Sequence, residues 1–366
     1  MVYRVIGLMS GSSLDGLDIA FVEFHEQGGK WSYTIQHSDC YPYSPEWTRR
    51  LRDATQLSAR EYQLLHVDYG HYLGHQVNAF IDAHKIHYQV ALISSHGHTT
   101  FHDPARGMTA QLGDGAALAA ETKLPVVTDL RAMDIAFGGQ GAPIVPIGEK
   151  LLLPEYSMFL NIGGIANITL SATDGQYIAF DICAANRVLN MLAQELGSPY
   201  DRGGAFAAEG QLYEPLLQQL NNLDYYKHAY PKSLANEFGT AVVYPMIKSA
   251  GIAPVRALHT YAVHIAQQTA ASVKMLGDRL PAGDRKMLIT GGGAFNDFLV
   301  NEIRKALAPL GVEPVVPAGS LVNYKEALIM AFIGVLRWRQ EYNVLSSVTG
   351  AGRDSIGGAL WTGQEA

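Results

Sequence analysis

Cysteine is scarce in this chain of 366 residues, with only Cys40 and Cys183 present. Two cysteines exclude a disulfide framework and point to a reducing compartment, so a cytoplasmic protein is expected. Positive charge is also short: 27 Lys and Arg stand against 34 Asp and Glu, a formal net charge of −7 with a pI near 6.0. That balance gives a nucleic acid or an anionic membrane no electrostatic reason to bind. A bound nucleotide would have to be held by local N–H groups and a metal, against the overall charge. Long apolar runs are missing. The longest, Ala327–Leu336, is broken by Arg337 and Arg339 and falls far short of the ~20 residues needed to span a bilayer. Arg4 followed by the short Val5–Met9 run likewise lacks the apolar length of a signal peptide. A soluble protein with no membrane partner is expected.

What is present is a composition 48% hydrophobic and 17% charged, ample for a sizeable core and long enough for two domains. Strand-like and helix-like patterns alternate, which predicts α/β architecture. Strand-like runs at Tyr3–Met9 and Ile19–Phe24 flank a glycine-rich turn. Ser58 and Glu61 read as a capping box opening a helix towards Ala83. A strand at Val90–Ser95 is followed by a polar loop, His96–Gly107, then a small-residue helix around Gly113–Thr122 and a strand at Pro125–Asp129. Residues 138–146, rich in glycine and proline, read as the interdomain connection. Domains are therefore expected at 1–135, joined by the returning C-terminal helix, and at 136–366. The opening pattern then recurs. Strands at Met158–Ile162 and Ile165–Leu170 enclose Gly163-Gly164, and a third strand, Tyr177–Ile182, leads into a helix over Ala184–Leu196 stopped by Gly197. Lys286–Thr290 runs into three glycines and a helix from Asn296. A last helix is expected at Tyr324–Tyr342.

Residues 11–18 carry the densest chemistry. Gly11, Ser13 and Gly16 at a hairpin tip offer N–H groups and hydroxyls suited to phosphate oxygens. Asp15 and Asp18 suit a phosphate only if a divalent cation stands between. Asp15-Gly16 is equally an ordinary turn dipeptide. Two further glycine turns follow strands, at Asn161–Asn167 and at Gly291–Asn296. Glycines after strands usually just turn the chain, but three such turns together read as a nucleotide cleft between two duplicated halves. Asp181 closes a strand just before a helix. It reads either as a cap for free helix N–H groups or as a general base. Glu326 has the same ambiguity, because Asn323 three residues earlier makes a capping box. Arg131 is a surface cation or a clamp for an acidic substrate. His71 with His75, and His96, His98 and His102, lack a third ligand at zinc-site spacing, so hydrogen-bonded histidines are expected. A serine nucleophile at Ser12 or Ser13 lacks the elbow pattern and an identifiable histidine–acid pair.

Over essentially its whole length the chain resembles the anhydro-N-acetylmuramic acid kinases, of the sugar kinase, actin and acetate kinase superfamily. The resemblance rests on Gly7–Asp18, Ser95–Thr99, Gln111–Asp114, Asp129–Arg131, Gly139–Pro143, Phe159–Asn167, Pro231–Ser233, Gly291–Asn296 and Ser347–Ala351. It implies a two-domain, actin-like (ribonuclease H-like duplicated) α/β fold with a central cleft. It also implies an enzyme that opens the 1,6-anhydro ring of an amino sugar with water and phosphorylates the freed 6-oxygen from ATP, in cell-wall recycling. An ordinary sugar kinase and a nucleotide-binding sensor without turnover are the rival readings. By the same resemblance Asp181 is the base, and Gly11, Ser12, Ser13, Leu14, Asp15, Gly16, Leu17 and Asp18 hold the ATP phosphates. Asp15 and Asp18 serve magnesium. Gly163, Gly164, Asn167, Gly291, Gly292 and Gly293 complete the nucleotide site; His96, Thr99, Arg131, Asn186 and Glu326 face the sugar, Arg131 meeting its lactyl carboxylate. A homodimer is implied. The chain departs from the family after Asp181, where Ile182-Cys183-Ala184-Ala185-Asn186 replaces Thr-Gly-Pro-Gly-Asn, and methyls at 184 and 185 threaten close approach of a phosphate. Two smaller departures are Ser12 for threonine and His98 for glutamine.

Overall fold

The computed structural model describes residues 1–363 except 12, 236, 282 and 284. The chain divides into two units, Met1–Pro154 with Tyr324–Ala366, and Glu155–Asn323.

In the first unit β1 (Val2–Ser10), β2 (Gly16–Gln27) and β3 (Lys30–Pro42) form an antiparallel meander. Most of β2 from Gly16 to Phe24 is buried, the pattern of a strand covered on both faces. Helix α1 (Ala59–His84) begins at the expected capping box: Ser58 Oγ accepts the Glu61 N–H at 3.3 Å, and Glu61 Oε2 accepts the Ser58 N–H at 3.1 Å. It leads to β4 (Leu92–Asp103) and β5 (Met108–Leu112). Helix α2 (Gly115–Thr122) is capped by Asp114 and precedes β6 (Val126–Thr128). Strand β4 lies parallel to β1 and to β6 and antiparallel to β5. Helix α3 (Pro146–Leu152) completes the N-terminal part.

The second unit repeats this order. Strands β7 (Met158–Ile162), β8 (Ile165–Ser171) and β9 (Tyr177–Ala184) make an antiparallel meander leading into α4 (Asn186–Gln194). After α5 (Pro254–Leu276), β10 (Arg285–Thr290) pairs parallel to β7. Helix α6 (Asp297–Leu307) then leads to β11 (Val312–Val315), parallel to β10. The orders β6-β4-β1-β2-β3 and β11-β10-β7-β8-β9 are the same topology. In each order the first strand begins an antiparallel meander of three, and two parallel strands lie on its other side. The duplicated, actin-like α/β fold is thus present in the strand order itself. Helix α7 (Gly319–Trp338) and β12 (Ala359–Trp361), antiparallel to β6, return the chain to the first unit.

Three expectations need correction. The polar loop expected from His96 is strand: β4 continues to Asp103 because β1 and then β5 satisfy its backbone. The last helix starts at Gly319, bends at Tyr324 (φ −116°, ψ 17°) and ends at Trp338. The helix thus begins again after Tyr324, close to the expected start, but among the described residues no capping box forms between Asn323 and Glu326. The division between units falls after Pro154, and residues 138–146 lie within the first unit. Asp134, fully buried, holds them there by accepting the Gly141 N–H at 2.7 Å and the Thr349 hydroxyl at 2.7 Å. Ile147 is buried and a Cβ at Gly148 would meet Ile329, so α3 packs on α7.

Helix α7 has the length and apolarity to cross a membrane, but Ala327–Phe332 are at most 1% exposed within the first unit, the burial of a core helix. Phe332 stacks edge-on against Trp31 at 4.9 Å and tilts on Phe24 at 5.3 Å. Removing such a ring leaves a cavity, so Phe332→Ala should destabilise the first unit by about 3–5 kcal/mol. Chemical denaturation followed by Trp fluorescence measures this.

Candidate active site

In the first unit the turn between β1 and β2 is built by its own side chains. Asp15 Oδ1 accepts the Ser13 hydroxyl at 2.7 Å and the Gly16 N–H at 3.1 Å. Leu14 takes a left-handed conformation, φ 59°. The side chain of Leu17 is fully buried in the core, which removes it from the expected phosphate-facing set; alternation along β2 points it inward. The expected contact at Ser12 lies outside the described residues. Gly11, Ser13 and Asp15 stay at the accessible turn, and Gly16 is buried against Cys40 and Tyr41.

Asp18 lies within β2, opposite Met9 on one side and Cys40 on the other. Burial pushes its carboxyl up to about 6; the Cys40 thiol hydrogen bond opposes that rise, while the Asp15 and Glu326 charges add to it. Beneath the turn, Ser10 Oγ lies 3.0 Å from His98 Nδ1 and accepts the Tyr43 hydroxyl at 2.7 Å; Tyr43 also meets Tyr69 at 2.5 Å. Burial pushes His98 down to about 4, so this imidazole is neutral and keeps the hydrogen-bonding capacity of the family's glutamine.

His96, on buried β4, lies with Nδ1 2.9 Å from the Gly97 carbonyl and accepts the Arg131 Nε–H on Nε2 at 2.8 Å. Burial and the Arg131 charge push its pKa to about 3, which fixes the neutral tautomer with Nε2 as acceptor. Arg131 Nη1 donates to the Gly141 carbonyl at 2.6 Å. The guanidinium is thus held on two edges, while among the described residues Nη2 has no partner. Glu326 carries a carboxyl raised by burial, with the Lys325 and Arg131 charges opposing the rise. Beside it Lys325 and Glu149 form an ion pair at 2.9 Å, at most 4% exposed. Thr99 is exposed, its hydroxyl 3.3 Å from Gln111 Nε2. The fold therefore gathers Asp18, His96, Arg131 and Glu326 from four segments. His71 and His75 share Glu121 instead, at 2.7 and 3.4 Å.

In the second unit the Gly163-Gly164 turn is bound to the start of α4. The Ala185 N–H donates to Gly164 O at 2.8 Å, the Asn186 N–H to Gly163 O at 3.0 Å, and Asn186 Nδ2 to Ile162 O at 2.9 Å. Asn186 thereby serves the turn's structure. Ala184 and Ala185 are at most 2% exposed in the core, so the methyls that replace glycine and proline point inward. Asn167 is half-buried on β8, opposite Asp181 on β9. Gly291 is required by its φ of 80°, and a Cβ there would lie 2.7 Å from Asn161 Oδ1. Gly293 is closed against Ile162 in the same way.

Asp181 does not cap α4. The cap position is Ala185, with no side-chain bond, and Asp181 Oδ2 instead accepts the Leu234 N–H at 2.8 Å. Its backbone is held on both sides, by Lys232 O at 3.1 Å and by the Tyr225 hydroxyl at 2.7 Å. Burial raises its pKa and the Leu234 bond opposes the rise. Among the described residues Oδ1 has no hydrogen-bond partner. Sequence reasoning noted Pro231–Ser233 without a role; these residues begin the strap that orients Asp181. It missed Tyr225, which lies next to no motif, and passed over Arg187, the residue directly after Asn186.

A duplicated α/β sheet with a glycine turn at the first hairpin of each copy, and a half-buried carboxylate on the third strand of the second, is an actin-like frame of the kind a sugar kinase uses. The chain belongs to the anhydro-N-acetylmuramic acid kinase family, whose model matches residues 3–363. It is similar to the anhydro-N-acetylmuramic acid kinases of Rhizorhabdus wittichii (34% identity, covering 96% of this chain and 97% of that one) and Gloeobacter violaceus (33%, 95% and 96%). The Aliivibrio fischeri enzyme is 31% identical over 98% of this chain and 99% of its own. Among solved structures it is similar to the activator of the 2-hydroxyisocaproyl-CoA dehydratase from Clostridium difficile, at 13% identity and a TM-score of 0.45, over 92% and 96% of the two chains.

Asp18 supplies a pH test. Its folded pKa of about 6 exceeds the ordinary 3.8, so the folded state binds the proton more tightly than the unfolded chain. Stability should fall as pH rises from about 4 to about 6, by roughly 2–3 kcal/mol, and Asp18→Asn should flatten that slope. Denaturant titrations across this range, free of nucleotide and divalent cations, measure it.

Proposed function

We propose that this protein uses ATP to convert anhydro-N-acetylmuramic acid into N-acetylmuramic acid 6-phosphate and ADP, with Asp181 as general base. The observation that carries this is the state of Asp181: a half-buried carboxylate with one oxygen fixed by a backbone N–H, the other open, and a burial-raised pKa. A raised carboxylate pKa makes a better proton acceptor near neutrality. Asp181 takes a proton from water as the water oxygen bonds to the anomeric carbon. The bond from that carbon to O6 breaks, and O6 takes the γ-phosphoryl group as ADP leaves.

The other residues position and stabilise. Arg131, gripped by His96 and Gly141, offers its remaining edge to the lactyl carboxylate, as a guanidinium fork does. Glu326 and Thr99 face the sugar hydroxyls and amide. Gly11, Ser13 and Asp15 and the glycines at 163, 164 and 291–293 face the nucleotide. Among the described residues no group of three or more His, Cys, Asp or Glu forms a metal cage. Asp15 and Asp18 are hard oxygen donors, and Asp18 lacks a counter-cation. Both fit a magnesium ion that arrives on the phosphates and keeps most of its waters. Bound there, the ion would neutralise charge on the transferring phosphoryl group. The homodimer implied by the family resemblance belongs to this proposal, and sedimentation tests it.

The purified protein with magnesium-ATP should form ADP and sugar phosphate from the anhydro sugar. Phosphorylation of open N-acetylmuramic acid or glucose alone would overturn the ring-opening step; ATP binding without turnover on any of them would favour a sensor. Asp181→Asn should lower kcat by about 10²–10⁴-fold and leave ATP affinity within a few-fold. A comparable loss of nucleotide binding would make Asp181 a structural residue.

A further inference from the structure

The glycines of the second unit fall into two kinds. Gly291 and Gly293 are fixed by the protein's own packing. Gly163, Gly164 and Gly292 are not: none has a positive φ, and a Cβ built there would find its nearest neighbour at 3.5, 3.8 and 3.5 Å. The fold would accept a Cβ at each, so the protein's own packing does not require glycine there and the backbone is open to close approach. At Gly164, among the described residues and apart from its chain neighbours, the atoms within 4 Å of that Cβ position belong to Arg187, Nε at 3.8 Å and Cβ at 4.0 Å. Its Cδ lies 3.9 Å from the Cβ position of Gly239, so the stem passes between the glycine turn and the segment after the Asp181 strap.

Arg187 is half-buried, and among the described residues it makes no hydrogen bond or ion pair. It also occupies the first turn of α4, where the positive end of the helix disfavours a cation. A partly desolvated guanidinium in that place, in a chain with net charge −7 and 34 acidic residues, is left unmatched by any carboxylate. The N–H groups of Ala185 and Asn186 are already bonded to the turn's carbonyls, and the Gly163 N–H to the Ile165 carbonyl, so these three are not free donors for a phosphate.

We infer that Arg187 binds a terminal phosphate of the nucleotide over the bare Gly163-Gly164 turn. This rests on the nucleotide reading of that turn. Arg187 is a binding residue in this role, supplying the positive charge that the turn itself lacks. The contact is to the terminal phosphates, and adenosine alone does not reach it.

Calorimetric titration of the full chain with magnesium-ADP, magnesium-ATP and adenosine tests this in Arg187→Ala, Arg187→Lys and Gly164→Val. Arg187→Ala should weaken ADP and ATP by about 10–100-fold with adenosine affinity and the melting temperature unchanged. Arg187→Lys should recover part of the loss. Wild-type ADP and ATP affinity in Arg187→Ala, together with weakened binding in Gly164→Val, would overturn the role of Arg187 and leave the turn as the phosphate site. Wild-type affinity in both variants would overturn the nucleotide reading of the turn as well. An equal loss for adenosine and ADP would mark Arg187 as structural.

Discussion

Withdrawal of carboxylates from water governs this structure. Asp18, Asp181 and Glu326 are each raised by burial. Each also has fewer partners than a buried anion needs to be comfortable. Among the described residues Asp18 has a thiol, Asp181 a single backbone N–H, and Glu326 only nearby charges. A fold assembled for stability alone would pair or delete them. Around them several neighbours are tied down: Asp134 closes the 139–141 loop, Glu149 takes Lys325 through one oxygen, and Tyr225 and Lys232 hold the Asp181 backbone. Rigid surroundings keep under-satisfied groups in place, which is the condition for positioning-dependent chemistry.

Local signals were legible where one interaction decided the outcome. Ser58 with Glu61, Asn296 before α6 and the strand–turn–strand pattern at 158–170 each involve neighbours in sequence. The readings that failed were those in which a distant partner overruled local chemistry. His96 and His98 look like loop residues until β1 and β5 pair with their backbone and Arg131 and Ser10 take their ring nitrogens. Asn323 looks like a helix cap until Gly319 starts the helix one turn earlier. Gly139-Gln140-Gly141 looks like a linker until a buried aspartate claims it.

The site showed the same division. Asp181, Arg131 and Glu326 stood between a structural and a chemical reading on their local patterns, and only the family resemblance favoured the chemical one. The doubt at Ile182–Ala185 could not be resolved from sequence, since it turns on where two methyl groups point. Both enter the core beside Cys183, and Tyr261 anchors the Ala184 carbonyl at 2.7 Å. Leu17 was placed among ligand-facing residues by its motif, although strand alternation alone argued for the interior.

The first unit is discontinuous, its sheet begun by Val2–Ser10 and its packing finished by α7 and β12. A Cβ at Gly7 would collide with the Ala327 carbonyl, so β1 is shaped for a helix encoded more than three hundred residues later. On the ribosome this reverses the usual N-terminal-first order of folding. Glu155–Asn323 emerges as an unbroken stretch and can close while the nascent N-terminal sheet still waits for its covering helix. During that interval the Gly7 face of β1 and Phe24 lack their partner, while Ile6 and Leu8 on the other face can already pack on α1. Quality-control chaperones would meet this chain at its beginning, and a premature stop before Tyr324 would release a folded second unit tethered to an unfinished first.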